Sequence, residues 1–329
     1  MTAGEILASF PRLSALVVGD ICLDRWCTYD PSTAEPSRET GIPRIGVVRT
    51  EVTPGAGGTV ANNLRALGAG RVAVLGVIGD DGFGFELTRA LAARGADTSL
   101  LVREPHIQTF TYTKLLNART DGEDQPRVDY INTRPMPERA EGEVLERLKR
   151  AAGEFDVVLI SDQAETETGG VVTPRVRALL SELALRLPKT IFFVDSRMRI
   201  EQFRGVILKP NRQEAERACR KLFGETDYGR LRRETAAPFV FVTHGAEGVL
   251  VVEDRRETWV RTRPVRNPVD ICGAGDSFSA GTALALAAGA SPREAARLGD
   301  LVASVTIMKK GTGTATPEEV LAAEEAAGR

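Results

Sequence analysis

The stretch Asn267-Pro268-Val269-Asp270-Ile271-Cys272-Gly273-Ala274-Gly275-Asp276-Ser277-Phe278 places a glycine-rich turn and a carboxylate directly before an alanine-rich run. Gly273 and Gly275 let the backbone approach an anion with no Cβ in the way. The free N–H groups and dipole of a helix starting there favour negative charge. Such a turn suits a phosphoryl group, and Asp276 is placed to act as base on the hydroxyl that receives it. The same residues also fit a plain tight turn with Asp276 near a helix N-terminus, so the choice rests on the other segments.

The chain of 329 residues, 42% hydrophobic and 27% charged, has the composition of a globular α/β protein with a sizeable core. Its 43 basic and 45 acidic residues generate no global field for nucleic acid or an anionic membrane, and neither partner is expected. Cys22, Cys27, Cys219 and Cys272 form no C-x-x-C pair, and two histidines leave little for a Cys/His metal site. Residues Met1 to Leu13 lack a basic start followed by an apolar run, and no stretch approaches a membrane span in length, so a cytoplasmic protein with reduced thiols is expected.

Short apolar runs recur at Ala15 to Gly19, Val72 to Gly79, Val157 to Ser161, Ile191 to Asp195, Val206 to Leu208, Phe239 to Thr243 and Val249 to Val252. Each reads as a buried strand. Helical patterns lie between them: Val60, Leu64 and Leu67 at i, i+4 and i+7, then Phe83 to Arg94, Glu141 to Ala152 and Val172 to Leu187. This alternation predicts a mainly parallel sheet covered on both faces, with ligands gathered beyond the strands' carboxyl ends. Two segments break the pattern. Trp26 to Arg49 and Thr109 to Asn132, the latter read as a hairpin around Asp121-Gly122-Glu123-Asp124, predict a small extra sheet inserted in one domain spanning 1–329. With one face and its edges free, that sheet would close over a substrate or pair with its copy in a homodimer, burying Phe110, Tyr112 and Ile42 across a two-fold axis.

Four further segments carry polar chemistry. Val17-Val18-Gly19-Asp20-Ile21-Cys22-Leu23-Asp24 puts two carboxylates at a strand end, and Gly55-Ala56-Gly57-Gly58-Thr59-Val60-Ala61-Asn62-Asn63 puts a glycine turn before a helix; together they offer acceptors and donors to sugar hydroxyls, or simply a surface turn and a cap. Lys209-Pro210-Asn211-Arg212-Gln213-Glu214 supplies oxygen ligands suited to Mg²⁺ and equally matches a capping box. Thr243-His244-Gly245-Ala246-Glu247-Gly248 follows a strand with glycines that admit a ligand close to the backbone.

Taken in order, these motifs and the Asp270 to Asp276 segment resemble the ribokinase-like (PfkB) carbohydrate kinase family over essentially the whole chain. The resemblance implies a ribokinase-like α/β fold with a small β lid, ATP and Mg²⁺ as cofactors, and transfer of the γ-phosphoryl to a sugar hydroxyl. It implies Asp276 as catalytic base, with Gly273, Ala274 and Gly275 forming the anion hole. It also implies Asp24, Gly57, Gly58 and Asn62 at the sugar, Asn211 and Glu214 at the magnesium and phosphates, and Thr243, Gly245 and Gly248 at the nucleotide.

Within the family, Gly19 to Trp26 and Pro36-Ser37-Arg38-Glu39-Thr40-Gly41-Ile42-Pro43 are similar to the heptose 7-phosphate kinase domains, as are Lys114 and Asp129 of the lid segment. That likeness adds Lys114, Asp162 and Arg197 to the expected substrate site, with Arg38 and Arg127 as further cations for a substrate phosphate. Two departures stand out: Glu165 replaces a lysine of the group's S-D-Y-A-K-G stretch, and Cys272 stands in place of the usual threonine. No H-x-G-H occurs, so a fused nucleotidyltransferase domain is not expected in this chain. A kinase for a heptose 7-phosphate or similar sugar phosphate, a kinase for an unphosphorylated sugar such as fructose, ribose or a sugar acid, and a non-catalytic sugar or nucleotide sensor all remain open.

Overall fold

Alternate side chains of the first strand run go to opposite sides of a sheet: Ala15 and Val17 join one hydrophobic cluster, and Leu16 and Val18 join another. A strand buried on both faces needs this near-continuous apolar sequence, and each fully buried Val or Leu contributes about 1.5–3 kcal/mol. The computed structural model describes residues 1–262 and 265–328. Among these, the strands are β1 (Ser14–Gly19), β2 (Ile21–Tyr29), β3 (Val47–Ala56), β4 (Arg71–Leu75), β5 (Val77–Gly79), β6 (Val102–Glu104), β7 (Thr111–Asn117), β8 (Val128–Tyr130), β9 (Val157–Asp162), β10 (Ile191–Ser196), β11 (Ile207–Leu208), β12 (Val240–Thr243), β13 (Val249–Val252) and β14 (Glu257–Val260). The helices are α1 (Ala3–Leu7), α2 (Gly57–Ala66), α3 (Gly82–Ala93), α4 (Glu138–Ala151), α5 (Pro174–Arg186), α6 (Arg212–Phe223), α7 (Tyr228–Glu234), α8 (Ala274–Ala287), α9 (Pro292–Thr306) and α10 (Pro317–Gly328).

The large sheet has the order β14-β13-β12-β11-β10-β9-β1-β4. Its strands from β12 to β4 are parallel, and β13 and β14 extend it antiparallel. One face packs against α2, α8 and α9, and the other against α4, α5 and α6. Helix α8 is buried all round from Ser277 to Leu286, which explains its sequence of small and apolar residues, broken only by the hydroxyls of Ser277, Ser279 and Thr282. The run Val72 to Gly79, expected as one strand, is two. It breaks at Gly76, where a side chain would lie 2.6 Å from the Gly19 carbonyl oxygen, and β5 then leaves to pair with β6.

The second sheet, β3-β2-β7-β8, is the lid. The chain enters it in one residue. Gly19 turns at φ 131°, where a Cβ would strike the Ser161 carbonyl oxygen at 2.1 Å, so β2 departs from the end of β1 only because glycine stands there. Asp20 fixes the turn by accepting the amides of Gln163, Ala164 and Val171, each at 2.8 Å. The outer half of β3 is exposed on both faces, and the Lys310 ammonium meets Asp121 of the β7–β8 turn at 2.6 Å.

Candidate active site

Helices α3, α5, α6, α7 and α9 begin with a side-chain cap from Asp81, Thr173, Asn211, Asp227 and Ser291. Helix α8 has none, because Gly273 occupies its N-cap in the left-handed region. The Ala274 amide turns back to the Ile271 carbonyl at 3.3 Å, and the first intrahelical bond is Ser277 N–H to the Gly273 carbonyl. The amides of Gly275 and Asp276 have no i−4 partner inside the helix, so the positive end of α8 is left open to an anion.

Two cavities meet at this point. The larger, about 540 Å³, lies over the carboxyl ends of β10 to β12 and the amino-terminal start of α8, lined by Asp195, Lys209, Asn211, Glu214, Thr243, Gly245 and Gly248. The smaller, about 160 Å³, lies between the lid and the body, lined by Asp24, Lys114, Tyr112 and Arg127 from the lid and Thr59, Cys272 and Thr312 from the body. Gln163, Arg197, Gly273 and Asp276 line both.

Asp276 is the hinge of this geometry. Burial lifts its pKa to about 7, with Asp195 and Asp24 adding to the rise and Lys209 and Arg197 opposing it. Asp24 is lifted to about 6, again chiefly by burial, against Lys114 and Arg127. Neither carboxylate accepts a hydrogen bond among the described residues, which leaves both free for a ligand's hydroxyl. Burial and Asp195 likewise raise Glu214, and Lys209 and Arg197 act against them. Lys209 loses hydration on burial, but Asp195, Glu214 and Asp276 outweigh that and keep it charged. It bonds Asp195 at 2.6 Å, and a Cβ on Gly275 would sit 3.2 Å from its Nζ, so the ammonium lies against the glycine turn.

The expected site residues separate into three groups. Asp276, Gly273, Ala274, Gly275, Asn211, Glu214, Thr243, Gly245, Gly248, Asp24, Lys114 and Arg197 reach one cavity or the other. Asn211 and Glu214 also form the capping box of α6, through bonds of 2.8 and 2.9 Å, and still face the larger cavity. Asn62 is buried beside the smaller cavity's helix wall with its Oδ1 unpartnered. Gly57 and Gly58 do not line a cavity; they let α2 start against Ile21 and Pro54, where a Cβ would approach within 2.7 and 2.5 Å. Asp162 is also out of reach: it accepts the Ser196 hydroxyl at 2.6 Å and faces Arg199 at 3.5 Å, tying the ends of β9 and β10. Arg38 is exposed on the loop before β3 and lines neither cavity. Glu165, the acid in place of the group's lysine, forms an ion pair with Arg197.

Lys209, Asp195, Gln163 and Tyr112 are cavity residues that motif reading passed over. Lys209 and Asp195 did carry a signal, since each is a charged residue directly continuing a buried strand. Phe110 and Tyr112 had the wrong face assigned, because alternation along β7 sends them inward: Phe110 is 6% exposed and Tyr112 lines the smaller cavity.

Residues 14–165 and 204–319 match the family described as pfkB family carbohydrate kinase. The chain is 32% identical over 321 residues to the bifunctional protein HldE of Trichlorobacter lovleyi, covering 94% of this chain and 62% of that protein. It is 32% identical over 333 residues to HldE of Geotalea uraniireducens, covering 98% and 66%. The chain thus spans less than two thirds of the length of these relatives. Among solved structures, ribokinase from Thermotoga maritima superposes with a TM-score of 0.69 at 22% identity, covering 95% of this chain and 99% of that one. A phosphofructokinase-2 mutant from Escherichia coli superposes at 0.74 with 17% identity, covering 96% and 100%. These likenesses show a ribokinase-like fold. No helix among the described residues is long and apolar enough to cross a membrane. The chain belongs to the pfkB family of carbohydrate kinases, phosphotransferases with an alcohol group as acceptor.

Proposed function

We propose that the chain moves the γ-phosphoryl group of ATP to a hydroxyl of a sugar phosphate, with a heptose 7-phosphate as the best-supported substrate. The observation that carries this reading is the junction of the two cavities at Asp276 and the open start of α8. A nucleotide in the larger cavity and a sugar in the smaller would place the transferred group over the Gly275 amide and beside Lys209. Asp276 takes the proton of the attacking hydroxyl, and the amides and Lys209 stabilise the charge that spreads over the equatorial oxygens. Asp24 and Asn62 accept sugar hydroxyl protons, and Lys114, Arg127 and Arg197 face the substrate's own phosphate. The likeness to the HldE proteins and the segments Gly19 to Trp26 and Pro36 to Pro43 favour the heptose.

A magnesium ion fits the donors present. Asp195 raises the pKa of both Glu214 and Asp276, Lys209 and Arg197 offset only part of this, and the cavity holds oxygen ligands of the kind Mg²⁺ takes alongside phosphates and water. Glu214 and Asn211 would hold the ion, directly or through water, and it would neutralise phosphate charge. Thr243, Gly245 and Gly248 supply the wall of the nucleotide site.

One observation favours an unphosphorylated sugar instead: the cavity's cations already have acid partners, Arg25 with Glu86, Lys114 with Glu123, Arg127 with Asp129 and Arg197 with Glu165. A screen of ADP release across sugars and sugar phosphates decides between them. Heptose 7-phosphate should give the highest kcat/KM; a higher value for a neutral sugar transfers the assignment to that class, and no release with any acceptor ends the kinase reading. We also propose a homodimer through the lid, supported by the exposed Ile42, Ile45, Val47, Val48, Val128 and Ile131 there.

A further inference from the structure

The larger cavity has two ends. One is shared with the smaller cavity at Gln163, Arg197, Gly273 and Asp276; the other adjoins a surface hollow with which it shares Val265, Asp300 and Ser304. The phosphate-binding features lie at the first end. Val249, Pro268, Ile271, Ala303 and Ile307 supply apolar wall suited to a flat ring. At the second end, Asp300 and Ser304 stand one turn apart on α9 with Thr262 opposite. The Thr262 hydroxyl donates to Asp300 Oδ1, and the Ser304 hydroxyl is spent on the Leu301 carbonyl at 2.7 Å. Among the described residues Asp300 Oδ2 has no partner. Burial raises the carboxyl's pKa and only the Thr262 bond opposes this, so no cation among the described residues answers its charge. A half-buried carboxylate with one oxygen fixed and the other free is an acceptor waiting for a ligand's N–H.

We propose that Asp300 determines base specificity, taking the exocyclic 6-amine of adenine on Oδ2 and rejecting purines with a 6-oxo group, whose carbonyl oxygen would face the carboxylate. The inference rests on the nucleotide half of the reading above. Sites that hydrogen-bond a donor discriminate strongly against analogues that lack it, because the buried acceptor is then left unpaired.

The test reads binding, so it stands apart from phosphoryl transfer. ADP and inosine diphosphate are titrated calorimetrically into the parent protein and Asp300→Asn, with melting temperature as a check on folding. The parent should bind ADP at least about tenfold more tightly, the range of a hydrogen bond to a charged group. Asp300→Asn should shrink that ratio towards one, since an amide can turn its N–H to the 6-oxo group. An equal affinity of the parent for both nucleotides overturns the proposal without any variant, and an undiminished ratio in Asp300→Asn overturns it as well; either leaves the kinase reading standing. Failure of the parent to bind either nucleotide overturns both.

Discussion

The two halves of the cleft are built from different material. The larger cavity is made of strand ends, helix starts and glycine turns of the body, and its anion-binding features are backbone amides beside the buried pair Lys209 and Asp195. The smaller cavity takes much of its lining from lid strands, and its cations are long side chains in partly exposed ion pairs. Backbone groups locked into a packed core cannot rearrange, whereas surface ion pairs are individually worth only about 0–1 kcal/mol and exchange partners readily. On the proposed reading, the body would fix the reaction and the lid would tune the substrate. Substitutions should divide accordingly, with large losses of turnover on one side and shifts in affinity or assembly on the other.

The sharpest break of that division is Asp276→Asn. Loss of the base should lower turnover on the order of 10² to 10⁴, while nucleotide affinity and melting temperature hold. The parent's pH profile adds an independent reading. Asp276 works as a base only when ionised, and its pKa lies near 7, so kcat/KM should rise as pH increases through about 7. The Asn variant should lose that limb. Near-parental turnover would return Asp276 to a helix-start role and dissolve the contrast between the halves.

Lys209 tests the body more finely. Lys209→Met should reduce turnover on the order of 10², the loss typical of one preorganised donor. It should also destabilise the fold by about 3–5 kcal/mol, because Asp195 is left buried without its cation. The double variant Asp195→Asn with Lys209→Met should recover the melting temperature and not the rate. Recovery of both would make the lysine structural.

This contrast also explains what was legible in the sequence. The parallel sheet, its covering helices and the glycine turn at Gly273 were readable because buried strands and uncapped helix starts impose strict residue types over short windows. The break at Gly76 was not, since the run Val72 to Gly79 is apolar on both sides of it and only contact with the Gly19 carbonyl decides where it ends. Gly57, Gly58 and Asp162 sit in the expected motifs but line neither cavity: the glycines lie in close packing contacts and Asp162 accepts the Ser196 hydroxyl, placements that only the folded chain decides. Lys209 opens the Asn211–Glu214 segment and Asp195 ends a strand, but neither carried a role there. Their partnership spans two strands and exists only in the folded chain.

Glu214→Gln should have a smaller effect. Glutamine still serves a capping box, so the fold should hold, but the lost charge should raise the Mg²⁺ concentration for half-maximal rate by roughly a few-fold. A Mg²⁺ titration that does not move would confine Glu214 to capping α6 and leave Asn211 and Asp195 as the oxygen donors facing the phosphates.

The least effect on chemistry, and the clearest on assembly, should come from Val48. It lies where the β2–β3 ladder slips by one residue and is 61% exposed, close in sequence to Ile42 at 67%. A bulge of this kind, followed by the ion pair between Arg49 and Glu51, blunts an edge strand against continuing its ladder into another chain. What remains for a second copy is the apolar side-chain surface of Ile42, Ile45, Val48 and Ile131, which a two-fold axis would bury against itself. Tyr112 faces the smaller cavity and cannot serve as the probe, whereas Val48 lines neither cavity. Sedimentation at micromolar concentration should show a dimeric parent and a monomeric Val48→Glu that keeps its turnover. A monomeric parent removes the dimer, and a dimeric variant moves the contact off this surface. If the variant is monomeric but loses turnover as well, the lid's position depends on its partner, and the tuning half of the cleft is completed only in the assembled pair.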